Sequence, residues 1–193
     1  DVIDVGEILY ALLRKLWIII GALVIGGAIG GAYSYFLLTP QYTSTAKIYV
    51  LTKETTLTSL ADLQIGTQLT QDYKTIITGR SVMEEVVDKL HLDMDYKNLV
   101  KKIEVENPKD TRILSISAQD PDAEMAKKIV DTTAEVASDY VGEIMEMTPP
   151  KLIESGEVAV KKTSPSNTKN AAIGALIAAF LVCAYISLTV ILN

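Results

Sequence analysis

Two stretches of 22 residues, 17–38 (WIIIGALVIGGAIGGAYSYFLL) and 171–192 (AAIGALIAAFLVCAYISLTVIL), contain no Asp, Glu, Lys or Arg. As a helix, each rises about 33 Å at about 1.5 Å per residue. That is enough to cross a hydrocarbon core about 30 Å thick. In lipid every backbone amide must be paired internally, which makes the helix the default form. The first run is too long for a signal peptide and lacks a small-residue cleavage site before a polar region. Two membrane-spanning helices are therefore expected. The mean hydropathy of +0.26 averages these dense runs with a polar middle.

That middle, 39–170, holds 132 residues with 16 Lys and Arg and 21 Asp and Glu, a net charge of −5. It is long enough for one ordinary domain. The charge is too mild and too mixed for nucleic-acid binding. The only cysteine, Cys183, lies in the second run, so the middle has neither a disulfide framework nor a thiolate metal site. No short-period repeat is visible.

Two crossings put both termini on one side and the middle domain on the other. Arg14 and Lys15 flank the first run and favour a cytoplasmic N-terminus. Lys161, Lys162 and Lys169 flank the second run on the domain side and argue the other way. Long loops translocate largely regardless of charge, and the first helix usually dominates. The expectation is cytoplasmic termini and an extracellular domain in a multi-pass protein of the cell membrane.

The N-terminal VIDVGEILYALLRKLW carries Val5, Ile8, Leu9, Leu12, Leu13 and Leu16 at helical spacing, with Asp4 and Glu7 as a capping pair. It fits either an amphipathic helix along the membrane face or an extension of the first span. Within that span Gly26 and Gly30, and Gly27 and Gly31, form overlapping small-xxx-small pairs; Gly174 and Ala178 could supply the matching face. Such pairs let helix backbones approach closely, although glycine is also simply frequent in membrane helices.

After Pro40, YTSTAKIYVL reads as a strand. Residues 57–78 show helical spacing through Leu60, Leu63, Leu69, Tyr73, Ile76 and Ile77, interrupted at Gly66. GRSVMEEVVDKLHLD predicts a helix with Ser81 as N-cap and Glu84 as its partner. A short helix follows near 96–102. KIEVEN and RILSISA alternate around Asn-Pro-Lys-Asp and predict a hairpin with one buried face. In AQDPDAEMAKKIVDTTAEVASDYV, Asp120 suits the N-cap and Pro121 the first helical position, with Asp122 and Glu124 complementing the dipole. After Pro149 and Pro150, EVAVKK reads as a strand returning to the second span, with the first and last strands paired. The pattern predicts an α+β domain on a mixed sheet.

Chemistry is hard to find. His91, the lone histidine, has no ligand or base partner nearby and fits a surface or packing role. Asp120, Asp122 and Glu124 are accounted for by helix capping, and no glycine-containing calcium loop surrounds them. No phosphate loop or nucleophile elbow appears. Ser164 and Ser166 sit in a turn without a base, and the spans hold no ionisable residue marking a transport path. No catalytic residue, cofactor or metal site is expected.

The chain resembles the Wzz-type chain-length determinants, or polysaccharide co-polymerases, and within them the Gram-positive capsule branch. The resemblance runs through IDVGEILYALLRKLWIII, PQYTSTAKIYVL, SVMEEVVDKLHLDM, DTRILSISAQDPDAEMAKKIVDTTAEVA and TSPSNTKNAAIGALIA. It covers essentially the whole length, and order and spacing carry it more than any one motif. It implies an extracytoplasmic α/β domain beside the membrane and ring-like homo-oligomers of about eight subunits. It also implies control of capsular or exopolysaccharide length and export with a polymerase. In the capsule branch a cytoplasmic C-terminal tail activates a tyrosine kinase; the sequence reaches Asn193 at the membrane edge before such a tail would begin. The family's membrane-proximal proline motif falls on Pro165, Ser166 and Asn167, with Thr168 where a second proline is common.

The expected organisation is a cytoplasmic amphipathic segment 1–16, a first span 17–38, an extracytoplasmic α+β domain 39–170 and a second span 171–192. The expected function is a non-enzymatic membrane co-polymerase; the competing expectation is a transmembrane sensor with an extracytoplasmic ligand domain.

Overall fold

The computed structural model describes residues 5–50, 71–108, 111–146 and 149–191. The chain divides into two units: Asp1–Pro40 with Ser164–Asn193, and Gln41–Thr163.

In the first unit, α1 (Val5–Arg14) and α2 (Leu16–Phe36) are separated at Lys15. There φ is −101° and ψ is 18°, off the helical values. The N-terminal segment is thus a helix of its own and not a straight extension of the span; Asp4, the expected capping residue, lies outside the described residues. The second long helix, Asn167–Ile191, is α7. Both long helices are apolar around their whole circumference, and Val24, Ile25, Ile29, Leu176, Ile177 and Phe180 are exposed on them. Each apolar window is only 6% buried, whereas the core helix of a water-soluble protein is mostly covered. Two exposed helices of bilayer length fit a membrane anchor.

The second unit is α+β. β1 (Tyr42–Tyr49) alternates, with Ser44, Ala46 and Ile48 buried and their neighbours half-exposed. Helical residues 71–77 (α3) bury Tyr73 and Ile77; the rest of the predicted 57–78 helix lies outside the described residues. α4 (Arg80–Leu90) buries Val82, Met83 and Val86. α5 (Tyr96–Val100) buries Leu99 and leads into β2 (Ile103–Glu106) and β3 (Ile113–Asp120). These two form the predicted hairpin, in register Ile103↔Ala118 and Val105↔Ile116. α6 (Ala123–Met145) packs on β1 and β3, and α4 packs on α6. β4 (Lys151–Glu154) ends the sheet.

Sheet order is β2-β3-β1-β4 and all three pairings are antiparallel. The expected mixed sheet is therefore corrected to an antiparallel one within the same α+β class. The reason is topological: β3 and β4, joined through α6, run parallel to each other, but β1 lies between them and no parallel ladder forms. This is a split β-α-β arrangement.

Three local expectations also change. EVAVKK is not a strand; the last strand lies earlier, at Lys151–Glu154, where it pairs with Ile48 and Tyr49 of β1. Gly156 carries the chain onward across α6 and β1, donating its N–H to Asp131 Oδ1 at 2.6 Å. A Cβ there would lie 2.5 Å from both Ser44 Oγ and Val130 Cγ1, so only glycine fits without displacement. α4 is capped by Gly79 and not Ser81, because it begins directly after α3; Glu84 instead accepts from Arg80 Nε at 2.7 Å. α6 is capped by Asp122, whose carboxylate accepts from the Glu124 N–H at 3.0 Å. Asp120 remains in β3 and binds Lys102 Nζ at 2.7 Å, which keeps the backbone extended two residues longer than the Asp-Pro pattern predicts.

Candidate functional site

The feature most unlike ordinary packing is the seam between α2 and α7. Gly26, Gly30 and Ser34 are spaced by four on α2; Asn170, Gly174 and Ala178 are spaced by four on α7. Residues four apart share a helix face. Gly26 faces Gly174 and Ala178, Gly30 faces Asn170 and Gly174, and Ser34 faces Asn167 and Asn170, so the helices run antiparallel.

The approach is backbone to backbone. A Cβ on Gly26 would stand 2.5 Å from the Gly174 carbonyl oxygen, and one on Gly30 would stand 2.6 Å from the Asn170 carbonyl oxygen. Both are well inside van der Waals contact, so any larger residue forces the helices apart. A Cβ on Gly27 or Gly31 would meet Ala175 or Ala171 at 3.6 Å, an ordinary contact. The two glycine pairs that look equivalent in sequence are thus unequal: Gly26 and Gly30 lie where nothing else fits, and Gly27 and Gly31 lie on the flank. All six small residues singled out in the sequence come together on this one seam within a single chain.

At one end the seam becomes polar. Ser34 is 1% exposed. Its hydroxyl donates to Asn167 Oδ1 at 2.9 Å and accepts from Asn170 Nδ2 at 2.9 Å. In an apolar environment an unpaired hydroxyl is costly, so this double engagement accounts for a serine at a buried position. Ser166 caps α7: its Oγ accepts from the Lys169 N–H at 3.3 Å, and its carbonyl accepts from the Asn170 N–H at 3.0 Å. The helix therefore begins at Asn167, four residues before the expected span 171–192. Pro165 precedes the cap through a cis Ser164–Pro165 bond.

Of the membrane-proximal residues singled out, Ser166 and Asn167 thus build the joint directly and Pro165 leads into it. Sequence reasoning missed Ser34 and Asn170. The signal was present: Ser34 continues the Gly26, Gly30 spacing, and Asn170 continues Gly174, Ala178.

Among the described residues no three His, Cys, Asp or Glu side chains gather to hold a metal ion. Asp120 and Asp122 are engaged as above. His91 is exposed and ends α4 in the left-handed conformation, with φ 50° and ψ 45°. Cys183 is half-buried on α7.

A family model described as "Wzz: Chain length determinant protein" matches residues 1–90. The chain is 36% identical over 179 residues to the capsular polysaccharide biosynthesis protein CpsC of Streptococcus agalactiae, covering 90% of this chain and 78% of that one. The chain belongs to the chain length determinant (Wzz) family. CpsC of Streptococcus pneumoniae is 35% identical, over 90% of this chain and 77% of that one. The probable capsular polysaccharide biosynthesis protein YwqC of Bacillus subtilis strain 168 is 31% identical, over 84% and 66%. A solved full-length bacterial polysaccharide co-polymerase superposes with a TM-score of 0.49 at 12% identity, covering 98% of this chain and 97% of that one. In this Wzz-family chain the family match takes in α1, α2 and β1, while the α7 half of the seam lies beyond residue 90.

Proposed function

We propose that this chain is a non-enzymatic membrane co-polymerase that sets the length and export of a capsular polysaccharide. In this reading both termini are cytoplasmic and the domain 41–163 is extracellular. Copies assemble side by side as a homo-oligomer, and a cytoplasmic tyrosine kinase and a polysaccharide polymerase are its partners.

The observation that carries the reading is the match along nine-tenths of the chain to the CpsC proteins. The seam gives it a physical form. Gly26, Gly30 and Gly174 make the hairpin a closely packed pair, and Ser34 with Asn167 and Asn170 ties it at one end. The Thr163 N–H, bonded to the Gln41 carbonyl at 2.8 Å, ties the two ends of the domain. Because Gly26 and Gly30 face their own α7, oligomer contacts in this proposal fall to other surfaces, and leucine at those glycines acts first on the hairpin.

The test is deletion of the gene, complementation with wild-type or Gly26→Leu/Gly30→Leu protein, and sizing of the polysaccharide on gels. Deletion is expected to change chain length or amount, and only the wild type should restore it. Unchanged polysaccharide after deletion would sink the proposal.

A further inference from the structure

We propose that the break between α1 and α2 is a binding site for the phosphate head group of an anionic phospholipid in the surrounding bilayer.

The break at Lys15 opens a hollow of about 420 Å³ lined by Tyr10, Ala11, Arg14, Lys15, Trp17 and Ile18. Two cations and two aromatic rings share it. Arg14 and Lys15 are exposed and form no ion pair among the described residues. Glu7, the described acid on α1, stands in its first turn while Arg14 stands in its last. The site therefore carries a local charge of about +2 in a chain whose net charge is −6.

Depth selects the ligand. α2 starts at Leu16 and runs 21 residues, about the thickness of the hydrocarbon core, so Arg14 and Lys15 sit where that core ends. Trp17 and Tyr10 are 74% and 69% exposed, with the amphipathic rings that favour the head-group layer. Leu9 and Leu13 of α1 are also exposed, an apolar surface on the helix lining the hollow that acyl chains would cover. A phosphodiester with apolar chains meets all three features: paired cations, interfacial aromatics and an apolar floor. A soluble acidic partner would use only the first.

The experiment reconstitutes the chain into nanodiscs of mixed phosphatidylglycerol and phosphatidylcholine and measures, by native mass spectrometry, which lipids stay bound. Two interfacial cations imply a preference for phosphatidylglycerol of about 30-fold. Arg14→Gln/Lys15→Gln should remove nearly all of it, and the exchange Arg14→Lys/Lys15→Arg should keep it. Lys161→Gln/Lys162→Gln, which removes as much charge elsewhere, should leave the preference intact. Equal retention of both lipids by the wild type would overturn the proposal, as would a loss of preference in the Lys161/Lys162 variant as large as in the Arg14/Lys15 variant. Displacement of bound lipid by millimolar inorganic phosphate would assign the hollow to free phosphate instead and overturn the lipid assignment. If Arg14→Gln/Lys15→Gln fails to fold, the exchange variant decides: loss of its preference would also overturn the site.

Discussion

Ser34 on α2 and Asn167 at the start of α7 are joined by a 2.9 Å hydrogen bond across 133 residues of sequence. Asn170 completes the joint by donating to the same serine oxygen. An interhelical hydrogen bond in a membrane contributes about 0.6 kcal/mol on average, so Ser34→Ala should destabilise the hairpin by about 1 kcal/mol. Asn167→Ala should destabilise it as well. In a double-mutant cycle, read from unfolding in mixed micelles, Ser34 and Asn167 should couple by about 0.5 kcal/mol. Strict additivity would mean the bond does not stabilise the folded pair.

The seam makes a sharper prediction. Gly26→Ala places a methyl group 2.5 Å from the Gly174 carbonyl and should destabilise by about 1–3 kcal/mol. Gly27→Ala meets only ordinary contacts and should be neutral, or stabilising by up to about 1 kcal/mol through helix propensity. Equal effects at both positions, measured in the same micelle assay, would refute the inequality of the two glycine pairs.

Tyr73 is fully buried, and its hydroxyl has no hydrogen-bond partner among the described residues. Burial raises the phenol above its ordinary value of 10.0. The unfolded chain releases this proton near that value while the folded chain keeps it. The contribution to stability is thus present below about pH 10 and is lost as pH rises past it. Tyr73→Phe removes a polar atom with no partner among the described residues and should stabilise by about 1 kcal/mol near neutral pH. The advantage should widen above about pH 10 in urea titrations. A variant that loses stability would show that the hydroxyl is paired in solution, and one that keeps the wild-type alkaline slope would show that burial does not raise this phenol.

His91 ends α4 with φ at 50°, and its N–H bonds back to the Val87 and Asp88 carbonyls. A side chain in this region is strained, and glycine is the usual occupant of such a helix end. His91→Gly should therefore raise stability by about 0.5–1 kcal/mol, seen as a higher unfolding midpoint. The same change would sharply lower stability if the imidazole held something in place.

Legibility followed the range of the interactions. The two long apolar helices and the β2–β3 hairpin depend on composition and on a period of 2 within one segment, and they stand in the structure as the sequence predicts. Helix starts were less legible. Asp120 and Ser81 each have the right chemistry for a cap, but an ion pair to Lys102 holds Asp120 in β3, and the preceding helix brings α4 on early. Residues 157–162 alternate like a strand but do not form one, and the edge of β1 expected for the last strand is taken by β4.

Sequence alone determined that this chain carries two apolar helices around one α+β domain, and that small residues line those helices. Only the tertiary structure decided which glycines face a backbone too close for a side chain, that Ser34 and Asn170 join them, and that β1 separates β3 from β4. The first set follows from the solvent each residue prefers. The second depends on which backbone stands opposite, and that is settled only when segments distant in sequence meet.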